Sequence, residues 1–270
     1  GEELLHVEID GIPFVFLAER WAESEQFGQR SLSIQGRSQT ALLGAPWQRA
    51  TMRSNSSAMT AQQLALAALQ YTGVDLDWGL TDWLVPAGVW SHQGTPLEAI
   101  GVIAAAAGGY LQSHRTDATL LVRHPYPMLP GGVPGGPWNW PSASAVDVEL
   151  ATDAVMVRSS DSDDGADIDG VYVRGAGAGV VALVKRGGTA GANLADMVTD
   201  PLITHADAAS QRGTAILGKA GKVRRVSIDS PILKGAQQPG IFDVGQLVQV
   251  NAIAPWRGRV PGPRPWRNAP

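Results

Sequence analysis

The residues best suited to chemistry are acids and indoles, and they fall in two clusters. Asp75, Asp77 and Asp82 are interleaved with Trp78, Trp83 and Trp90. Flat aromatic faces beside paired carboxylates are the parts of a sugar platform with a general acid and base, a carbohydrate-binding or carbohydrate-cleaving site over residues 75–90. The competing expectation is that these tryptophans fill a small core or line a subunit interface, where Trp is enriched. The second cluster, Asp161, Asp163, Asp164, Asp167 and Asp169, is the most charged stretch of the chain. An EF-hand calcium loop needs oxygen ligands at positions 1, 3 and 5 and Gly at position 6. Counted from Asp161, position 5 is Gly165 and position 6 is Ala166, so the register fails. A solvated hairpin loop is the expectation there.

Other patterns fall short of their templates. Gly175, Gly177 and Gly179 precede a strand-like run rather than a helix, so they predict a hairpin or glycine-rich bend and not a dinucleotide loop. His6, His92, His114, His124 and His205 are scattered without metal-ligand spacing. Gly36-Arg37-Ser38-Gln39 lacks the second glycine of a nucleophile elbow. The absence of cysteine removes disulfides, thiolate nucleophiles and zinc–thiolate sites. No catalytic, cofactor-binding or metal-ligating residue is assigned, and neither a cofactor nor an enzymatic activity is expected.

The elements that must carry these residues are legible in part. Leu5, Val7 and Ile9 alternate with polar partners, Asp10-Gly11 supplies a tight turn, and Phe14-Val15-Phe16 returns. Arg30 to Gln35 reads as a strand with Leu32 and Ile34 on one face, and Pro46 to Ser57 as a linker. Thr60 and Gln63 form a capping box that opens a helix over Leu64 to Tyr71. Thr95, Pro96 and Glu98 open a second, stopped by Gly108-Gly109, and Tyr110–Ser113 pairs with Thr119–Arg123 as a hairpin. After the breaker stretch 129–137, short strand runs follow at Val146–Leu150, Ala154–Arg158, Val171–Arg174 and Val180–Lys185. One helix, with Thr204 as cap and Asp207 at N3, precedes runs at Val223–Asp229 and Leu247–Val250. Spacing near ten residues with turns between suggests a barrel or sandwich.

Length and charge bound the rest. A chain of 270 residues holds one large domain or two modest ones. The net charge of −4 argues against a dedicated nucleic-acid binder. The last sixteen residues, 255–270, carry four arginines and no acid, which leaves the preceding body at −8. That Pro/Trp-rich basic tail is expected to lie on a neighbouring surface. No run approaches the 18 apolar residues of a membrane helix, so no stable membrane insertion is expected. A start at Gly1-Glu2-Glu3 without an initiator Met reads as a processed chain or part of a longer polypeptide.

Three motifs in order carry a resemblance. They are Ile34-Gln35-Gly36-Arg37-Ser38; Gly94-Thr95-Pro96-Leu97-Glu98-Ala99-Ile100 running through Ala104 to Gly108-Gly109-Tyr110 and Leu120–Arg123; and Thr199-Asp200-Pro201-Leu202-Ile203 with Ala206-Asp207-Ala208 and Arg212-Gly213. Over roughly residues 30–250 the chain resembles the baseplate hub, or tail-tip, proteins of long-tailed bacteriophages, related to the hub part of type VI secretion spike proteins. The resemblance implies an α+β, mainly β fold: tail-tube-like β-barrel domains with an inserted small α/β domain. The expected division is N-terminal strands of the barrel over 1–45, the inserted domain over 46–130, a second β-barrel domain with one helix (about 204–218) over 131–254, and the tail. It also implies a structural virion protein at the distal end of the tail, a homotrimer joining the tail tube to the spike or central fibre. Its partners would be the tube, distal tail and spike or fibre proteins and the tape measure protein, with DNA only in passage during genome ejection. An acidic body suits a lumen along which DNA slides without sticking.

Overall fold

Alternating residues at the N-terminus form an antiparallel ribbon in the computed structural model, which describes residues 3–126, 148–150, 155, 157–177, 179–232 and, beyond these, 234, 235, 238, 239, 241, 242, 244–246 and 248–250. Strands β1 (Glu3–Ile9) and β2 (Ile12–Gln26) turn through Asp10-Gly11, both at positive φ (50° and 78°), as the sequence predicts. β2 then runs on for 15 residues and returns at Phe27-Gly28 as β3 (Gln29–Ser38). The near half of β2 buries Ile12, Val15 and Leu17. Past a register shift between Ala18 and Arg20, every residue of β2 is exposed, and the strand pair becomes an arm. Gly36 sits opposite that shift because a Cβ there would lie 2.3 Å from the Leu17 carbonyl oxygen. A short 3-10 helix (Gln39–Leu43) follows, burying Leu43. Gln39 Nε2 donates to the Thr116 carbonyl at 2.6 Å, tying the ribbon to the next unit.

That unit holds β4 (Thr51–Ser54), β5 (Met59–Thr60), α1 (Ala61–Ala68), β6 (Asp75–Trp78), β7 (Leu84–Val85), β8 (Ser91–Gly94), α2 (Pro96–Ala106), β9 (Tyr110–Ser113) and β10 (Thr119–Arg123). Both expected capping boxes form, Thr60 with Gln63 and Thr95 with Glu98, and Pro96 occupies the first turn of α2. β10 pairs antiparallel with β9, as expected, and parallel with β6. β4 pairs with β8 and β5 with β7. The linker expected over Pro46–Ser57 thus contains a strand: four residues offer too few alternations to register as periodic, and pairing with β8 decides their conformation.

Beyond it lie β11 (Val148–Leu150), β12 (Val157–Asp164), β13 (Gly170–Gly175), β14 (Val181–Lys185), β15 (Val198–Asp200), α3 (Ala206–Lys219), β16 (Lys222–Asp229), β17 (Lys234–Gly235), β18 (Gln238–Pro239) and β19 (Val248–Val250). β13 is central in the sheet β14-β13-β15, β12 pairs with β16, β11 with β19 and β17 with β18. Val171, Val173, Ala182 and Val184 turn inward, and α3 packs along β13 and β14. Gly213 of α3 permits this approach, since a Cβ there would lie 2.4 Å from Val184 Cγ2. One apolar cluster runs from Leu43 through α1, α2 and Trp83 to Ile203, Ala208 and Leu217.

Among the described residues the mainly β content with three α-helices follows the expectation, but the barrel does not appear. Among the described residues the strands form separate two- and three-stranded sheets, none closed on itself. Short runs at regular spacing do not specify which strands pair, and here two helices and the β6-β10-β9 sheet separate the strand groups. The α3 cap also shifts. His205, not Thr204, is the N-cap, its Nδ1 accepting from the Asp207 amide at 3.3 Å. Thr204 is drawn away because its hydroxyl donates to the Leu84 carbonyl at 2.6 Å. The breaker stretch 129–137 and the tail 255–270 lie outside the described residues, as does the start of the Val146–Leu150 run.

Candidate functional site

The Trp/Asp cluster does not make a platform. Trp83 (3% exposed) and Trp90 (4%) are core residues. The Trp83 indole donates to the Leu202 carbonyl at 2.8 Å, and Trp78, half-buried, meets it with ring centres 6.5 Å apart and a 45° tilt. The carboxylates are occupied separately. Asp77 forms a salt bridge with Arg123 at 2.5 Å, which lowers the Asp77 pKa, and Asp82 accepts from the Gln62 amide at 2.9 Å in the first turn of α1. The carbohydrate reading of residues 75–90 is therefore corrected: the indoles are spent on the core, and no exposed aromatic face stands beside paired acids. The physical cause is that an eight-residue helix and four-residue strands supply little side-chain volume, so Trp fills the space.

The acidic stretch also differs from the hairpin loop expected for it. Asp161 to Asp164 are the end of β12, paired with β16 so that Asp161 faces Arg225 across the ladder. Asp169 accepts from the backbone amides of Asn193 at 2.7 Å and Gly191 at 3.1 Å, which fixes the loop before β15. Among the described residues no group of three or more His, Asp or Glu is placed to hold a metal ion. β13 and β14 pair antiparallel, as expected of the hairpin reading of Gly175, Gly177 and Gly179, and the Gly175 amide donates to the Val180 carbonyl at 2.9 Å.

The remaining motifs are joints. Leu202 and Ile203 are buried in the shared core, with the Leu202 amide held by Asp200 Oδ1 at 2.9 Å. From α3, Gln211 Oε1 accepts from the Thr81 amide at 3.2 Å, and Arg212 Nη1 donates to the Ala105 carbonyl at 2.5 Å. His124 Nε2 lies 3.0 Å from the Gln211 carbonyl oxygen. The third motif therefore bolts α3 and β15 onto the α/β unit. The Gly-Arg-Ser motif does the same for the arm. Arg37 grips Glu19 through Nε at 2.8 Å and Nη2 at 2.5 Å, and Nη2 also reaches the Ala45 carbonyl at 3.1 Å. Trp47 Nε1 donates to Glu19 at 3.1 Å. The Arg37 and Trp47 bonds hold the Glu19 carboxyl below its ordinary range.

A cleft of about 520 Å³ opens between the β9–β10 sheet face and residues Val244–Gln246. Its Arg123 is committed to Asp77, and its Tyr110 hydroxyl donates to the Val244 carbonyl at 3.0 Å. Both groups hold the chain together.

Two exposed faces are a different matter. On the arm, Trp21 pairs with Ile34, Glu23 with Leu32 and Glu25 with Arg30, so one side carries Trp21 (63% exposed), Leu32 (64%) and Ile34, with Phe27 fully exposed at the tip. The opposite side pairs Arg20 with Gln35, Ala22 with Ser33, Ser24 with Ser31 and Gln26 with Gln29. On the sheet β14-β13-β15, the side away from α3 carries Tyr172, Val181 and Leu183 with Arg174 and Lys185. Leu32 and Ile34 share one strand face, as the sequence predicts, but β2 continues past the expected Phe14-Val15-Phe16, because Glu19 to Glu25 is polar enough to pass for a loop. The available signal was Phe27-Gly28, a two-residue turn between the paired Gln26 and Gln29.

No protein-family model matches this chain, and no curated protein sequence matches it. Among solved structures it is similar to the tail protein from Neisseria meningitidis MC58, with a TM-score of 0.55 and 16% identity over 92% of this chain and 73% of that one. It is likewise similar to the 43 kDa tail protein of prophage MuSo2 from Shewanella oneidensis, with a TM-score of 0.51 and 17% identity over 92% and 71% of the two chains. At this identity the likeness is one of architecture: the chain shares the fold of these two tail proteins.

Proposed function

We propose that this chain is a structural, non-enzymatic subunit of a phage-type tail, acting as the baseplate hub at the distal tip and assembled as a homotrimer. In that role it joins the tail tube to the spike or central fibre and lines part of the channel through which DNA leaves. The observation that carries the reading is the likeness of fold to two tail proteins across 92% of the chain. Its support from the chain itself is that the acids and indoles singled out as chemical candidates serve as joints and core. The N-terminal strands, the inserted unit over 46–130 and the β unit over 131–254 would then be successive parts of one ring subunit. The acidic body, at −8 before the basic tail, suits a channel wall that repels DNA. Negative-stain electron microscopy of the purified chain tests the reading: three-fold rings with an open centre are expected. Particles without rotational symmetry would overturn it.

A further inference from the structure

A subunit of a closed ring meets its neighbours through two different patches, one on each side. The two exposed apolar faces described above fit that requirement, and this inference rests on the ring reading. The arm presents Trp21, Leu32 and Ile34 with Glu23, Glu25 and Arg30 on the same side, and Arg30 is paired with Glu23, so Glu25 leaves the face acidic. The outer side of β14-β13-β15 presents Tyr172, Val181 and Leu183, framed by Arg174 and Lys185, with no acid among the strand residues of that side. Both are apolar stripes, they carry opposite charge, and their sizes match. Seven residues of β2 past the register shift extend ~23 Å, and two strands side by side are ~10 Å across, against a three-strand sheet ~14 Å wide. Neither stripe is self-complementary in charge, which disfavours arm-to-arm or sheet-to-sheet pairing and favours a head-to-tail contact.

We infer that the Trp21 side of the β2–β3 arm of one copy lies on the outer side of the β14-β13-β15 sheet of the next copy. The contact buries three apolar side chains from the arm against three from the sheet and sets Glu25 among Arg174 and Lys185. Repeated around a three-fold axis it closes without leaving either patch exposed.

The native chain has no cysteine, so single cysteines report the contact cleanly. Leu32→Cys and Leu183→Cys, both at exposed positions, are made in differently tagged copies, co-expressed, and treated with a short bis-maleimide. A cross-link joining the two tags is expected, with none when either variant is expressed alone, and the double variant should yield covalently closed trimers. Glu25→Lys should abolish the cross-link between the tags, and adding Lys185→Glu to the other copy should restore it. Cross-linking of Leu32→Cys with itself, or a double variant that links only within one chain, would overturn the contact. If light scattering gives a trimer while the mixed variants stay uncross-linked, the contact falls and the ring stands; a monomeric mass removes both.

Discussion

Replacing Trp83 with Phe removes one hydrogen bond and part of one ring from the seam between α3 and the α/β unit. The Trp83 indole is 3% exposed and donates to the Leu202 carbonyl at 2.8 Å. Losing the donor leaves that carbonyl buried and unpaired, which costs ~1–3 kcal/mol. Shrinking the ring adds ~1 kcal/mol for lost packing, so the change costs ~2–4 kcal/mol in all. Trp78→Phe is the control. Its ring touches the Trp83 ring, but its buried indole N–H has no acceptor. Removing an unpaired buried donor offsets the packing loss, and the expected cost is ~0–1 kcal/mol. The difference of ~2 kcal/mol is a factor of about 30 in the unfolding equilibrium. Urea titration followed by circular dichroism reads it directly: the Trp83→Phe midpoint should fall by ~1 M with an unchanged slope, and the Trp78→Phe midpoint should barely move. Equal midpoints for the two variants would refute the assignment of Trp83 as the bolt.

Other perturbations have definite signs. Gly213→Ala places a methyl 2.4 Å from Val184 and should cost ~1–3 kcal/mol, whereas Gly101→Ala in α2, whose nearest neighbour would be Leu111 at 3.7 Å, should stabilise by ~0.5–1 kcal/mol; thermal melting distinguishes them. Thr95→Ala removes the capping box of α2 and should cost ~1 kcal/mol by the same assay. Glu19 titrates in the folded chain below its ordinary 4.5, held down by Arg37 and then Trp47, so the base of the arm is fully held above that value and loosens as pH falls through the lower folded pKa. The Trp47 indole resonance in an NMR pH titration should follow this transition, and Arg37→Ala should move its midpoint up toward 4.5.

Legibility tracked the range of the interaction that fixes each element. Asp10-Gly11, Thr60 with Gln63 and Thr95 with Glu98 are decided within four residues, and each was readable. β4, β5, β7 and β15 are two to four residues long and exist only because a partner strand is present, so no local pattern could reveal them. Thr204 was a reasonable cap until the Leu84 carbonyl, 120 positions away, took its hydroxyl. The candidate site was misread for a related reason. Trp78, Trp83 and Trp90 look alike in sequence, and the Leu202 carbonyl that holds the Trp83 indole in the core lies 119 positions along the chain. The arm was half legible: its Leu32 and Ile34 stripe was found, but the polar strand that carries Trp21 was not.

The most direct test of ring assembly is the solution mass of the purified chain, by light scattering across a range of concentrations. A mass near three times 28.4 kDa that persists on dilution is the expected result. A mass of 28.4 kDa at every concentration would contradict it.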